Sequence, residues 1–179
     1  MEPIKVLDKT FEEFIPGQQI KETVARMAAE LDRDLWGKDP LFLAILNGAF
    51  MFAGDLFQQI QMPSRISFVK MASYLGTGST GKVDQLIGLQ ESIAGQTVVI
   101  LEDIIDSGLT ITKLLEHLKS LQPADVKVVS LLFKPDAFKG NFHIDYLGME
   151  IPNDFVVGYG LDYNGYGRNY RDIYKLKAE

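Results

Sequence analysis

The stretch 98-VVILEDIIDSGLT-110 reads as two pieces meeting at a turn. Val98 to Leu101 continue from Thr97 as an unbroken apolar run, the pattern of a strand covered on both faces. Glu102, Asp103 and Asp106 follow, then a Ser107-Gly108 turn, and from Leu109 onward Ile111, Leu114, Leu115 and Leu118 recur at helical spacing. Strand, turn and helix in that order place a helix N-terminus at the carboxyl end of a strand, the edge where α/β proteins hold ligands. The first-turn N–H groups of a helix have no internal partners and its dipole favours negative charge. With the hydroxyls of Ser107 and Thr110 added, the turn suits a monophosphate. Carboxylates repel phosphate, so Glu102 and Asp103 must address either sugar hydroxyls or Mg²⁺. A phosphate site beside a diol site is what a ribose 5-phosphate requires. A capped helix with a solvated acidic turn is the structural alternative.

Outward from this unit the same grammar repeats. Ile20, Val24, Met27, Leu31 and Leu35 lie at helical spacing, with Gly37 as the stop. Residues 41–46 (LFLAIL) read as a buried strand leading through Asn47-Gly48 into a helix over 48–60. Residues 65–74 and 82–89 read as strands with only a Gly/Ser/Thr loop between them, so they are expected to be antiparallel. Residues 126–133 (VKVVSLLF) read as a further buried strand, and the last third alternates short apolar runs with Gly and Tyr. Strands alternating with helices argue for an α/β fold on a mostly parallel twisted sheet flanked by helices. No linker, repeat or low-complexity tract interrupts the chain, so residues 1–179 are expected to form a single domain.

Composition bounds the function. Apolar residues make up 46% of the 179 and charged residues 23%, an ordinary globular balance. The net charge is −6 and the Lys and Arg residues are scattered, which argues against a nucleic-acid partner. No apolar run approaches a membrane span, and no secretory signal opens the sequence. Cysteine is absent, which removes disulfides, thiolate nucleophiles and Cys-based metal sites and fits a cytoplasmic setting. An acidic protein that handles an anionic small molecule must do so with backbone N–H groups, metal ions and a few placed cations.

The loop 76-GTGSTGK-82 satisfies G-x-G-x-x-G and nearly satisfies the P-loop, where Val83 stands in the Ser/Thr position. Both motifs must open a helix, whereas 83–89 reads as strand. The loop is better read as a mobile connection, or as an exposed hairpin without a role. His117 and His143 lack partners in the sequence and are expected to be structural or solvated.

The stretch 98–110 resembles the phosphoribosyl pyrophosphate (PRPP) signature of the type I phosphoribosyltransferases, and its Glu-Asp-Ile-Ile-Asp form resembles the purine branch. ILNGAFMFAGDL (45–56), ASYLGTGSTG (72–81), SLLFKPD (130–136) and FVVGYGLDYNGYGR (155–168) are similar, in the same order, to the other motifs of hypoxanthine phosphoribosyltransferases. The resemblance runs from about residue 40 to about residue 172. It implies a small hood built from the terminal segments, a mobile loop, and transfer of the phosphoribosyl group of PRPP to N9 of hypoxanthine or guanine. Mg²⁺ is the implied cofactor, and relatives are usually homodimers or homotetramers.

Carried over by position, the resemblance implies a role for each matching residue. The loop Asp106, Ser107, Gly108, Leu109 and Thr110 would hold the 5-phosphate, and Glu102 and Asp103 the ribose hydroxyls with Mg²⁺. Asp106 would take the N7 proton as general base, a role compatible with capping the helix. Lys134 would donate to purine O6, Phe155 would stack on the base with Ile104 on its other face, and the backbone of Val156 would read the base edge. Asp162, near the base, would hold a second Mg²⁺, and Arg168 would neutralise pyrophosphate. Leu46, Asn47 and Gly48 would offer backbone N–H groups to pyrophosphate, often through a cis peptide, although relatives often carry a basic residue where Asn47 stands. Ser73 and Tyr74 would begin the lid. Read without the resemblance, Lys134 is a solvated charge, Phe155 a core residue, and Asp162 with Arg168 a local ion pair. A regulatory nucleotide- or PRPP-binding protein of the same fold is the alternative to an enzyme.

Overall fold

The computed structural model describes residues 2–75 and 82–177. Its centre is a six-stranded sheet built from β3 (Leu41–Ile45), β4 (Arg65–Leu75), β5 (Lys82–Ile87), β6 (Thr97–Ile105), β7 (Asp125–Phe133) and β8 (Tyr146–Glu150), in the order β5-β4-β3-β6-β7-β8. Five of these strands run parallel, and β5 lies antiparallel to β4 at one edge. The antiparallel pair accords with the short span between Leu75 and Lys82, since a parallel crossover needs about a dozen residues or more. The lid expected over residues 73–83 and the glycine motifs of its loop lie, across 76–81, outside the described residues. The chain resumes at Lys82 as the strand β5, so neither nucleotide motif has the helix it requires.

The apolar runs are buried on both faces because helices cover both. Phe42, Ala44, Val99 and Leu101 pack with α1 (Gly17–Leu35) and α2 (Phe50–Phe57) on one face. Leu41, Leu43, Ile45, Val98 and Ile100 pack with α3 (Leu109–Ser120) on the other. The strand period of two sends alternate residues of one run to different helices. At about 25 cal/mol per Å² of apolar surface removed from water, these two interfaces are the main stabilising term.

A second sheet, in the order β1-β2-β10-β9, joins early and late segments: β1 (Ile4–Val6), β2 (Lys9–Ile15), β9 (Val156–Val157) and β10 (Ile173–Leu176). Val6, Phe11, Val157 and Tyr174 form its own small core. This is the hood, seated over the carboxyl ends of the central strands. The strand expected over 97–101 is longer than the sequence suggests: β6 continues to Ile105, so Glu102 and Asp103 are strand residues, with Glu102 registered against Ser130 of β7. Among the described residues, no helix is long and apolar enough to cross a membrane.

Candidate active site

A cavity of about 410 Å³ opens where the carboxyl ends of β3, β4, β6 and β7 meet the hood. It is lined by Leu46, Asn47 and Gly48 after β3, by Glu102, Asp103, Ile104, Asp106 and Thr110 at β6 and α3, by Lys134 after β7, and by Phe155, Val156, Asp162 and Arg168 from the hood. Residues separated by more than a hundred positions in sequence thus share one hollow. Ser107 and Gly108 line a smaller adjoining cavity of about 90 Å³, shared with Glu102, Asp106 and Thr110. Leu109 turns its side chain to solvent, 59% exposed, while its N–H faces Ser107 Oγ at 3.4 Å. The backbone of Ser73 and Tyr74 lies in the paired part of β4, opposite Asp84 and Val83.

The turn into α3 has a physical reason for its sequence. Gly108 is the residue before the helix, with φ +78°, a conformation that costs glycine little. A Cβ there would also stand 2.6 Å from the ring of Phe138, whose neighbour Lys139 donates its N–H to the Ser107 carbonyl at 3.0 Å. The N-cap residue is Gly108 itself, without a capping side chain, which corrects the expectation that Asp106 could serve as the cap. Asp106 instead accepts from Lys134 Nζ at 3.0 Å.

That contact also overturns the reading of Lys134 as a solvated charge, because Lys134 is only 7% exposed. Burying an ammonium is costly unless it is paired, and Asp106 provides the partner. Phe155 is likewise not a core residue. It is 45% exposed and lines the cavity, with its ring near Phe11 and Tyr163 at centroid distances of 6.3 and 5.9 Å. A half-exposed aromatic ring on a cavity wall suits stacking against a planar ligand. The adjacent Val156 is opposite Lys175, while Leu176 donates its N–H to the Phe155 carbonyl. This makes Val156 a non-hydrogen-bonded position, with its own N–H and C=O turned away from β10, on the free edge of the hood sheet.

Asp162 and Arg168 form the local ion pair at 2.7 Å, and Arg168 also donates to the Gly160 carbonyl at 2.6 Å. Both side chains nevertheless line the cavity. Arg168 acts on Asp103 as well, where its positive charge opposes the effect of burial. Burial dominates, and the Asp103 carboxyl is pushed up to about 6. Glu102 is raised well above the usual carboxylate range, first by desolvation and then by the charge of Asp103. Its Oε2 is enclosed and has no hydrogen-bond partner. A buried, unsatisfied carboxylate oxygen is expensive and rare in folded proteins.

Those two acids set the terms for a metal. Among the described residues, no three His, Asp or Glu side chains gather to hold an ion by themselves. Mg²⁺ does not need such a cage: it takes oxygen ligands, keeps several waters and commonly uses one or two carboxylates plus substrate phosphates. The orphaned Glu102 oxygen and the partly compensated Asp103 fit that donor set.

Gly48 fixes how closely these pieces approach. A Cβ at this position would lie 1.8 Å from Asp103 Oδ2, so the chain after β3 packs directly on the carboxylate. The Leu46–Asn47 peptide that precedes it is cis. Asn47 lines the cavity wall with its side chain exposed, between the half-buried Leu46 and Gly48. Reading the sequence alone overlooked Ile45, Met71 and Leu161 as lining residues. Ile45 ends β3, and that position was the available signal, whereas Met71 lies inside β4 and had none.

Comparison with known proteins agrees with this geometry. The model of the phosphoribosyl transferase domain matches residues 11–164. The hypoxanthine-guanine phosphoribosyltransferase of Mycobacterium bovis is 40% identical over 166 residues, covering 89% of this chain and 81% of that protein. That of Staphylococcus aureus is 38% identical over 163 residues, covering 90% and 91%. A crystal structure of the hypoxanthine phosphoribosyltransferase from Staphylococcus aureus superposes with a TM-score of 0.85 at 35% identity, covering 93% of this chain and 91% of that one. With the sheet order, the acidic strand end and the hood all in agreement, the chain belongs to the type I phosphoribosyltransferases, in their hypoxanthine-guanine branch.

Proposed function

We propose that this chain is a purine-salvage enzyme that transfers the 5-phosphoribosyl group of PRPP to N9 of hypoxanthine, and of guanine, releasing pyrophosphate. The observation that carries the reading is the pair Lys134 Nζ and Asp106 Oδ2, 3.0 Å apart on the cavity wall. O6 and N7 are neighbours on one edge of a 6-oxopurine. A cation and a carboxylate held side by side match them, the ammonium donating to O6 and the carboxylate facing N7–H.

Each remaining group has a task in this scheme. Phe155 stacks on the base, with Ile104 across from it, and the free backbone groups of Val156 meet the base edge. The Ser107–Thr110 turn and the first N–H groups of α3 receive the 5-phosphate. Glu102 and Asp103 accept from the ribose hydroxyls. Arg168 and the N–H groups of the Leu46–Gly48 segment face pyrophosphate, and Arg168 offsets charge that grows as the leaving group departs. Glu102, Asp103 and Asp162 would hold Mg²⁺, which when bound would supply positive charge to the diol and the departing pyrophosphate. Asp106 accepts the N7 proton as the ring attacks C1′, a general-base contribution of about 100- to 10,000-fold. The lid that begins at Ser73 and Tyr74 excludes water from a centre that would otherwise hydrolyse. A cytoplasmic setting goes with a sequence free of cysteine, and a homodimer or homotetramer is carried over from the family resemblance.

Steady-state kinetics with PRPP and hypoxanthine, guanine or xanthine, with and without excess chelator, tests the proposal. Nucleoside monophosphate and pyrophosphate in equal amounts, lost on chelation, are the expected result. Binding of PRPP without turnover on any base would favour the regulatory alternative and refute the enzyme.

A further inference from the structure

The hood carries a hydrogen bond whose purpose the chemistry above does not use. Tyr159 donates its hydroxyl to Asp55 Oδ2 of α2 at 2.7 Å, across 104 residues of sequence. Tyr159 is 4% exposed, and its ring is part of the core beneath α1 and α2. Its backbone is unusual: φ is +49°, between Gly158 at +98° and Gly160 at +97°. Glycine accepts such angles, whereas a bulky residue does so only where its surroundings hold it. Burial, the bond to Asp55 and an N–H donated to the Tyr170 carbonyl at 2.9 Å supply that hold. Desolvation and the Asp55 carboxylate both raise the phenol, so it stays a neutral donor.

What Tyr159 holds in turn is Gly160. A Cβ on Gly160 would lie 2.1 Å from the Gly48 carbonyl oxygen, so the two backbones are in direct contact. Gly160 donates its N–H to the Arg168 carbonyl at 3.0 Å and receives the Arg168 guanidinium on its own carbonyl at 2.6 Å. The other arm of that guanidinium is on Asp162. A continuous run of short contacts therefore leads from α2 through Tyr159 and Gly160 to Arg168 and Asp162. Neither Lys134 nor the ring of Phe155 takes part in it.

We propose that Asp55 and Tyr159 are positioning residues for the pyrophosphate end of the site, fixing Gly160 against Gly48 so that Arg168 is aimed at its ligand. The proposal rests on the reading of Arg168 as a pyrophosphate contact. Neither residue touches substrate, and the base end of the cavity is independent of the pair.

Kinetics of Tyr159→Phe test it, since the ring and its burial are kept and only the donor is lost. The KM for PRPP should rise about 10-fold, the lower end for a hydrogen bond to a charged group, while the KM for hypoxanthine stays within about twofold. Asp55→Asn keeps an acceptor and should restore most of the PRPP affinity, whereas Asp55→Ala should copy Tyr159→Phe. The double variant should be no worse than either, because one bond is lost only once. Should Tyr159→Phe fail to fold, Asp55→Ala, at a half-buried helix position, decides the same point. A lowered melting temperature with unchanged KM for PRPP, or an equal rise in both KM values, overturns the proposal. Arg168→Ala separates the levels. If it leaves the KM for PRPP unchanged, the pyrophosphate reading fails and the positioning role with it. If it raises that KM while Tyr159→Phe and Asp55→Ala do not, the positioning role alone fails.

Discussion

Asp103→Asn should make the unliganded protein more stable while impairing PRPP binding. In the folded chain the Asp103 carboxyl titrates near 6, against 3.8 for an ordinary aspartate, because burial disfavours its charge more than Arg168 and two backbone N–H groups favour it. At 1.36 kcal/mol per tenfold in acidity, holding that carboxylate ionised costs the folded state about 3 kcal/mol at neutral pH. Asparagine carries no charge, and its Oδ1 can still accept from the backbone, so most of that cost should disappear. A gain of about 1–3 kcal/mol corresponds to roughly 3–10 °C in melting temperature for a chain of this size. The folded state binds the extra proton between about pH 4 and 6, so wild-type stability from this group is lost as pH rises through that window. The variant has no such loss. The stability difference should therefore be near zero at about pH 4 and full above about pH 7. Urea unfolding of both proteins at about pH 4, 5.5 and 7.5 measures it, the difference cancelling every other titration the two share. A variant less stable than wild type at the highest pH, or a gap independent of pH, would refute the argument. Calorimetry should show the converse, PRPP binding weakened in the variant, and in wild type weakened as pH falls below about 6.

Asp106→Asn should lower the single-turnover rate by about 100-fold or more with PRPP affinity largely kept, and a loss under about threefold would remove Asp106 from proton transfer. Thr110→Ala should do the opposite, raising the KM for PRPP more than it lowers the chemical step, as measured by comparing steady-state and single-turnover rates. Gly48→Ala should abolish most activity in a folded protein, because its methyl group would occupy the position of Asp103 Oδ2, and a crystal structure would show either the carboxylate or the 46–48 segment displaced.

The central sheet was legible because its strands are covered on both sides. β3 is apolar at all five positions, and such a run needs no alternation to be recognised. The hood was not legible by the same means. The β1–β2 hairpin turns at Leu7-Asp8 with Leu7 at φ +54°, without the Gly or Asn that marks such turns, and β9 is two residues long. The acidic half of the site could be read because Glu102, Asp103, Asp106 and Thr110 lie within one short stretch of sequence. Lys134, Phe155 and Arg168 are brought in from elsewhere, and only the ordered motifs pointed to them. The Asp106–Lys134 pair had no local signal, since strand register sets it, and the Tyr159–Asp55 bond had none either.

The composition of the hood has a consequence in time. Phe11 of β2 registers with Leu176 of β10, and Gly17 donates to Asp172 across 155 residues. During synthesis at about 5–20 residues per second, β2 waits roughly 8–30 s for its partner to be made. The six-stranded sheet and the turn before α3 are complete as soon as β8 has emerged. A nascent chain can therefore assemble the Ser107–Thr110 turn while Phe155 and Val156 still lack the sheet that supports them. On the proposed assignment, the turn before α3 can form while the chain is still being made, whereas Phe155 and Val156 gain their support only once β10 has been made.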